Sequence, residues 1–365
     1  MLDKPLLSVP NVSEGRRRAT IEAIAEAFSA DGAARLLDVH SDADHHRSVF
    51  TLAGSQGTLA NALLDGALVA VESIDVGEDR EPAEIGAHPH VGAVDVVPLV
   101  YLDLAQRGAA CAEALVVAAE LGERLGLPVL LYGELAGGRT RAQLRRGGVA
   151  GLARRLRDGE LLPDFGPRYI HPTAGATLVC AREPLVAFNL ELAPPASVDD
   201  AKRIASVIRE GGVQGLPGLR AIGVPLHHAR KDALVGDGDR AGESGGRGGS
   251  ARRGESAGRG RSARRERSAR RVESAGFGES KNPVPRARAG GTPSGDIVAQ
   301  LSMNVERPLE LPLASVIEVV RKHADVARAE IVGLAPRAAL EGFPADVALQ
   351  GFDPGVHVIE NALGF

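Results

Sequence analysis

Residues Gly86–Asp95 read GAHPHVGAVD and run on through VVP to Pro98, so two histidines flank a proline in a glycine-bounded turn that feeds an apolar segment. The segment around Val94–Leu102 is short and rich in β-branched residues, which predicts a buried strand. Pro89 stiffens the loop between His88 and His90, while Gly86 and Gly92 allow positive φ or a close backbone approach. A loop of this kind can fix an imidazole in one orientation. Histidine titrates near neutrality and can both take and return a proton, so His88 is the first candidate for an acid/base. The spacing fits neither a dinucleotide fingerprint nor a P-loop.

Toward the N-terminus, Leu6–Val9 reads as a strand, and Ile21, Ile24, Ala25 and Phe28 fall at i, i+3, i+4, i+7 of a helix with one buried face. Ala34–Val39 and Ser48–Leu52 read as strands joined by the polar segment HSDADHHR, long for a hairpin turn and suited to a binding site. A helix over Leu59–Val71 precedes the loop 77–90. Toward the C-terminus the expected order is helix Ala105–Leu125, strand Val129–Tyr132, a basic helix over Arg139–Arg157, and apolar runs at Ala176–Cys180 and Leu185–Leu192. Ser197 and Asp200 form a capping-box pattern for a helix through Arg209, and Leu219–Val224 reads as a strand. After residue 295 follow strand Val298–Val305, helix Ala314–His323, strand Glu330–Leu334 and a short helix from Pro336. Strand pairs close in sequence alternate with helical crossovers, which predicts an α+β or layered plait architecture rather than a doubly wound sheet.

The 365 residues are 44% hydrophobic but only 3% aromatic, with no tryptophan, so the cores are aliphatic and base stacking is not the expected trade. The formal charge of −4 hides an asymmetry: residues 229–295 hold 16 Lys+Arg against 8 Asp+Glu, and the remainder 27 against 39. That basic stretch is dominated by Gly, Arg, Ser and Ala, with SARR recurring at Ser250, Ser262 and Ser268. It is too poor in apolar residues to offset ordering entropy and is expected to be a disordered insert, a solvated tether more than a nucleic-acid binder. Loop-closure cost grows slowly with length, so such an insertion is tolerable at a surface turn. Two cysteines, Cys111 and Cys180, and no signal-like or membrane-spanning segment predict a cytoplasmic protein without a disulfide framework. His40, His45, His46, His88 and His90 form two clusters. His40, Asp42, Asp44 and His46 are conceivable metal ligands, yet no HExxH or paired-cysteine spacing accompanies them, and no metal is assigned.

VPNVSEG at Val9–Gly15, LLDV at Leu36–Val39, HRSVFTLAG at His46–Gly54 and GAHPHVGAVDVVP at Gly86–Pro98 resemble, in that order, segments of the formiminotransferase family. PVLLYGE at Pro128–Glu134, PDFGP at Pro163–Pro167 and VAFNLEL at Val186–Leu192 continue the resemblance, as do VAQLSMNV and IVGLAPRAAL beyond the insert. The resemblance implies two α/β-plait, ferredoxin-like subdomains with a substrate cleft between their sheets: residues 1–181, then 182–228 with 296–365, interrupted by 229–295. It also implies a homodimer without a cyclodeaminase domain, and transfer of a formimino group from N-formiminoglutamate to N5 of tetrahydrofolate in histidine breakdown. Tetrahydrofolate is then the acceptor substrate, His88 the general acid/base, and His40, Arg47, His90, Arg168 and Arg182 the substrate-binding residues. Guanidinium groups suit the carboxylates of both substrates. Formiminotransferases carry aspartate at the position of His40 and arginine at that of His90. These departures leave a folate-binding homologue with altered or lost chemistry as the alternative, ahead of a histidine-rich metal-dependent hydrolase.

Overall fold

A computed structural model describes residues 5–77, 89–227 and 297–365. Gly86, His88 and the insert 229–295 therefore lie outside the described residues. The described chain is mixed α and β and carries two sheets.

The first, a 7-stranded sheet, is built from β1 (Leu6–Ser8), β2 (Asn11–Val12), β3 (Ala34–Asp42), β4 (Arg47–Gly54), β5 (Val94–Val100), β6 (Val129–Leu131) and β7 (Thr177–Arg182). β1 and β2 share one lane between β4 and β5, interrupted at Pro10, which has no N–H to give to the ladder. β3 pairs only with β4 at one edge, and β5, β7 and β6 run parallel toward the other. Helices α1 (Arg18–Ala27), α2 (Leu59–Ser73) and α3 (Arg107–Arg124) accompany this sheet. Their apolar stripes pack with Phe50, Leu52, Val97 and Val179 into one aliphatic core around Ile24, Phe28, Leu63 and Leu121. Two shorter helices follow β6: α4 (Arg141–Arg145) and α5 (Gly148–Arg157). The single basic helix expected over 139–157 is thus two, because Gly147 and Gly148 both take positive φ (83° and 62°), which breaks a right-handed helix.

The second, 5-stranded sheet has the order β12-β11-β8-β10-β9. Its strands are β8 (Val186–Leu192), β9 (Leu219–His227), β10 (Ile297–Val305), β11 (Val326–Val332) and β12 (Ala348–Gln350), with α6 (Val198–Ile208) and α7 (Leu313–Arg321) as crossovers. Alternation decides its faces. Val186, Phe188, Leu190, Ala299, Leu301 and Met303 pack on α6 and α7, while Asn189, Glu191, Gln300, Ser302 and Glu330 belong to the opposite face. Ser197 and Asp200 form both bonds of the expected capping box at the start of α6. β9 and β10 are hairpin partners down to His227 opposite Ile297, so the segment 228–296 leaves and re-enters the fold at one end of one ladder. Two short helices, α8 (Pro354–His357) and α9 (Ile359–Leu363), close the chain. β2, β12, α8 and α9 have no counterpart in the sequence reading; each is five residues or shorter and too brief to show a period.

One long-range contact fixes α2. Thr58 at its N-cap makes no side-chain cap bond. Instead Glu113 on α3, only 3% exposed, accepts from Gly57 N at 2.7 Å and Ala60 N at 2.9 Å. A carboxylate at that terminus satisfies open amides and meets the positive end of the helix dipole. Glu113→Ala leaves the buried Ala60 N–H and the exposed Gly57 N–H without this acceptor, and is expected to cost ~2 kcal/mol, seen as a lower urea midpoint at unchanged slope.

Candidate functional site

The second faces of the two sheets meet. Thr51 and Val49 on β4 share a face with their ladder partners Asp38 and His40 on β3. His40 Nε2 lies 3.6 Å from Glu330 Oε1 on β11. Leu7, Ala53 and Val100 of the first sheet pack with Leu334 and Ile359. Polar groups are enclosed here: Thr51, Asn189, Glu191 and Gln300 are each under 8% exposed. Thr51 Oγ1 and Gln300 Oε1 have no hydrogen-bond partner among the described residues.

The β3–β4 connection differs from its expected form. β3 continues through His40 to Asp42, leaving only residues 43–46 as a tight loop. Asp42 organises it: Oδ1 accepts from Asp44 N at 2.8 Å and His45 N at 2.9 Å, and Oδ2 meets His45 Nδ1 at 2.7 Å. Burial alone would raise the Asp42 pKa, but the His45 side-chain bond and the backbone amides outweigh it and hold the carboxyl at about 2. His46 sits at φ 50° and accepts from Gly15 N at 3.0 Å, locking the turn onto the Val12–Gly15 segment. Glu14, whose carboxylate accepts from Arg16 N and Arg17 N, lies 3.5 Å from the same ring. His45 and His46 are therefore turn-forming groups, whereas His40 points from a strand into the inter-sheet region. His40, Asp42, Asp44 and His46 do not come together as a ligand set. Among the described residues no group of three or more His, Cys, Asp or Glu is arranged to hold a metal ion.

Three arginines, Arg47, Arg141 and Arg145, gather near the start of β4, and a fourth, Arg182, lies near Arg141. Arg47 opens β4 and donates no side-chain hydrogen bond to a described residue. Burial lowers its pKa to about 10; Arg145 and Arg141 push the same way, opposed by Asp42 and Asp95. Arg141 and Arg145 lie one turn apart on α4, whose start is fixed by a Thr140–Gln143 capping box. The Arg141 guanidinium stands 5.9 Å from the Tyr132 ring centroid, and Arg145 pairs with the buried Asp95 carboxylate while its Nε has no partner among the described residues. Arg182, at the end of β7, has its pKa lowered by burial and is near enough to Arg141 to feel its charge. Arg168 is exposed and makes no hydrogen bond or ion pair with a described residue.

The exit of the histidine loop is anchored beside this group. Val91 N donates to Asp95 Oδ1 at 2.8 Å, and a Cβ on Gly92 would stand 1.9 Å from Ala176 O, so the close approach expected for that glycine is real. His90 is partly buried at the border of the described chain.

Toward the opposite end lies a cavity of about 150 Å³ lined by Asp38, His40, Glu330, Gln350, Phe352 and His357, with Gly333 and Gly351. Asn189 Nδ2 donates to Glu330 Oε2 at 2.9 Å. His357 Nδ1 accepts from Asp353 N at 2.8 Å, which assigns the ring proton to Nε2, 3.8 Å from Asp38 Oδ1. Burial raises the Asp38 pKa, with His357 and His40 opposing. Sequence reasoning singled out His40, Arg47 and Arg182 but not Asp38, Glu330, His357, Asp95, Arg141 or Arg145. For α4 a signal existed, the i, i+4 arginines behind a T-x-x-Q cap; for Glu330 and His357 only the tertiary fold brings them in.

Residues 6–182 match the family model for the formiminotransferase domain, N-terminal subdomain. Over 223 residues the chain is 39% identical to a glutamate formimidoyltransferase of Streptococcus pyogenes serotype M1, covering 60% of this chain and 72% of that protein. A glutamate formimidoyltransferase of Thermoplasma acidophilum is 34% identical over 212 residues, covering 56% and 68% respectively. The formimidoyltransferase-cyclodeaminase of Rattus norvegicus is 36% identical over 211 residues, which span 56% of this chain and 37% of that larger protein.

The Asp42 turn carries a pH signature. Its folded pKa lies below the ordinary aspartate value, so its stabilisation is fully present above about pH 4 and is lost as pH falls toward 2. Asp42→Asn is expected to flatten that part of the acid limb, measured as urea midpoints of parent and variant between pH 5 and pH 2.

Proposed function

Because this chain belongs to the formiminotransferase family, we propose that it is a glutamate formimidoyltransferase that moves the formimino group of N-formiminoglutamate to N5 of tetrahydrofolate, a step of histidine and one-carbon metabolism. The observation that supports the site assignment is Arg47, a partly buried guanidinium without a hydrogen-bonding partner among the described residues, in the company of Arg141 and Arg145. Both substrates end in carboxylates, and a preorganised arginine group of this kind can hold one bidentately. Arg47, Arg182 and the exposed Arg168 are the proposed carboxylate readers, with His40 and His90 as further substrate contacts.

In the reaction N5 attacks the formimino carbon to give a tetrahedral adduct. A base removes the N5 proton and an acid protonates the glutamate nitrogen; collapse of the adduct breaks that C–N bond and releases glutamate. His88 is proposed for both proton transfers. Substrates are proposed to enter between two plait subdomains, residues 1–181 and 182–228 with 296–365. The order β11-β8-β10-β9 with two crossover helices on one face supports that reading of the second. The active form is proposed to be a cytoplasmic homodimer. Among the described residues no helix is long and apolar enough to cross a membrane.

Purified protein supplied with both substrates is expected to form 5-formiminotetrahydrofolate in a coupled assay, with His88→Ala reducing kcat by about 10²–10⁴. Absence of product, or a well-folded variant as fast as the parent, overturns the assignment. Arg47→Ala is expected to weaken substrate binding by about 1.5–3 kcal/mol, read as a raised KM at little changed unfolding midpoint.

A further inference from the structure

We infer that the cavity between β3 and β11 is the subsite for the cationic amidine of the donor, and that Glu330 with Asp38 selects a formimino group over a neutral formyl group. The inference rests on the transferase reading above and deepens it.

Formamidines are protonated at neutral pH and present two N–H donors in one plane. That shape matches a carboxylate, as a guanidinium does. The cavity offers two carboxylates. Glu330 is oriented by the Asn189 amide through Oε2, and its Oε1 stands 3.6 Å from His40 Nε2, too long for a hydrogen bond. Asp38 Oδ1 is likewise 3.8 Å from His357 Nε2. Glu330 is therefore held through one oxygen, and both carboxylates keep acceptor capacity toward the cavity. A separate observation points to a missing polar ligand. Thr51 Oγ1 is buried without a partner among the described residues, on the ladder position opposite Asp38. It lies against the wall, where a Cβ on Gly333 would stand 3.6 Å from it. Gly333 and Gly351 leave the cavity open where side chains would fill it, and the Phe352 and His357 rings, 5.5 Å apart, form one side.

Along the β3–β4 ladder Arg47 faces Asp42, Val49 faces His40 and Thr51 faces Asp38, so an anion reader, Arg47, and a cation reader, Asp38, share one face of one hairpin, with Glu330 opposite them on β11. Carboxylates beside the amidine also keep it protonated, which leaves its carbon electrophilic toward N5.

The test measures binding of N-formiminoglutamate and of its neutral isostere N-formylglutamate to the full chain by calorimetry, alongside steady-state transfer. In the parent, the amidine is expected to bind at least tenfold more tightly than the formyl compound. In Glu330→Gln, and separately in Asp38→Asn, that preference is expected to fall below threefold, donor KM to rise at least tenfold, and tetrahydrofolate KM to change less than twofold. A merely structural role would shift both ligands and both KM values together, and that result overturns the subsite. Transfer with the tenfold preference intact in both folded variants also overturns it while leaving the transferase reading standing. Failure of the parent to bind either glutamate derivative or to turn over removes both.

Discussion

A sheet that buries one face under its own helices has a second face to dispose of, and in this protein two such faces are turned on each other. Both sheets satisfy their aliphatic sides locally, around Phe50 and Leu52 in one and Phe188 and Leu301 in the other. What remains to meet in the middle is an apolar patch of Leu7, Ala53 and Val100 against Leu334 and Ile359, and beside it polar groups: Asp38, His40, Arg47 and Thr51 on one side, Asn189, Glu191, Gln300 and Glu330 on the other. Enclosing such groups costs free energy unless each finds a partner. Pairs such as Asn189 with Glu330 and Arg328 with Glu191 meet that requirement, while the Thr51 hydroxyl and Gln300 carbonyl have no partner among the described residues. The faces are consequently held together by polar pairs as well as by the apolar patch around Leu7 and Leu334.

The same surface is sorted by charge. Arginines from β4 and α4 collect at one end, where Asp95 pairs with Arg145, and Arg182 of β7 lies near Arg141. Carboxylates collect at the other, beside imidazoles too distant to bond them. A bipolar surface of this kind fixes the direction in which a small zwitterionic molecule lies, through Coulombic preference as well as shape.

Periodicity disclosed what depends on local burial. The alternation of Val298–Val305, the i, i+3, i+4, i+7 spacing from Ile21 and the Ser197–Asp200 cap each state their structure in a few adjacent residues, and each element is present. The polar segment after Val39 misled because a strand facing a polar opposite sheet loses the apolar alternation that announces strands; His40 and Asp42 are strand residues that read as loop. Histidine abundance there was an equally mixed signal. His45 and His46 are engaged by Asp42 and Gly15 in shaping a turn, and only His40 projects into the inter-sheet region. Glu330, His357 and Arg145 reach their places through contacts at least 50 residues distant in sequence, which no local pattern encodes.

The β9–β10 ladder has a consequence for how this chain can vary. Nine consecutive pairs, from Leu219 opposite Val305 to His227 opposite Ile297, fix the register. A slip of one residue would exchange Gln300 and Ser302 with Leu301 and Met303, driving polar side chains under α6 and α7. The ladder therefore acts as an insulator. Whatever length or composition lies between residues 227 and 297, the positions of Gln300 and its neighbours are set by the paired strands alone, so sequence drift in the connecting segment is decoupled from the chemistry of the facing surface.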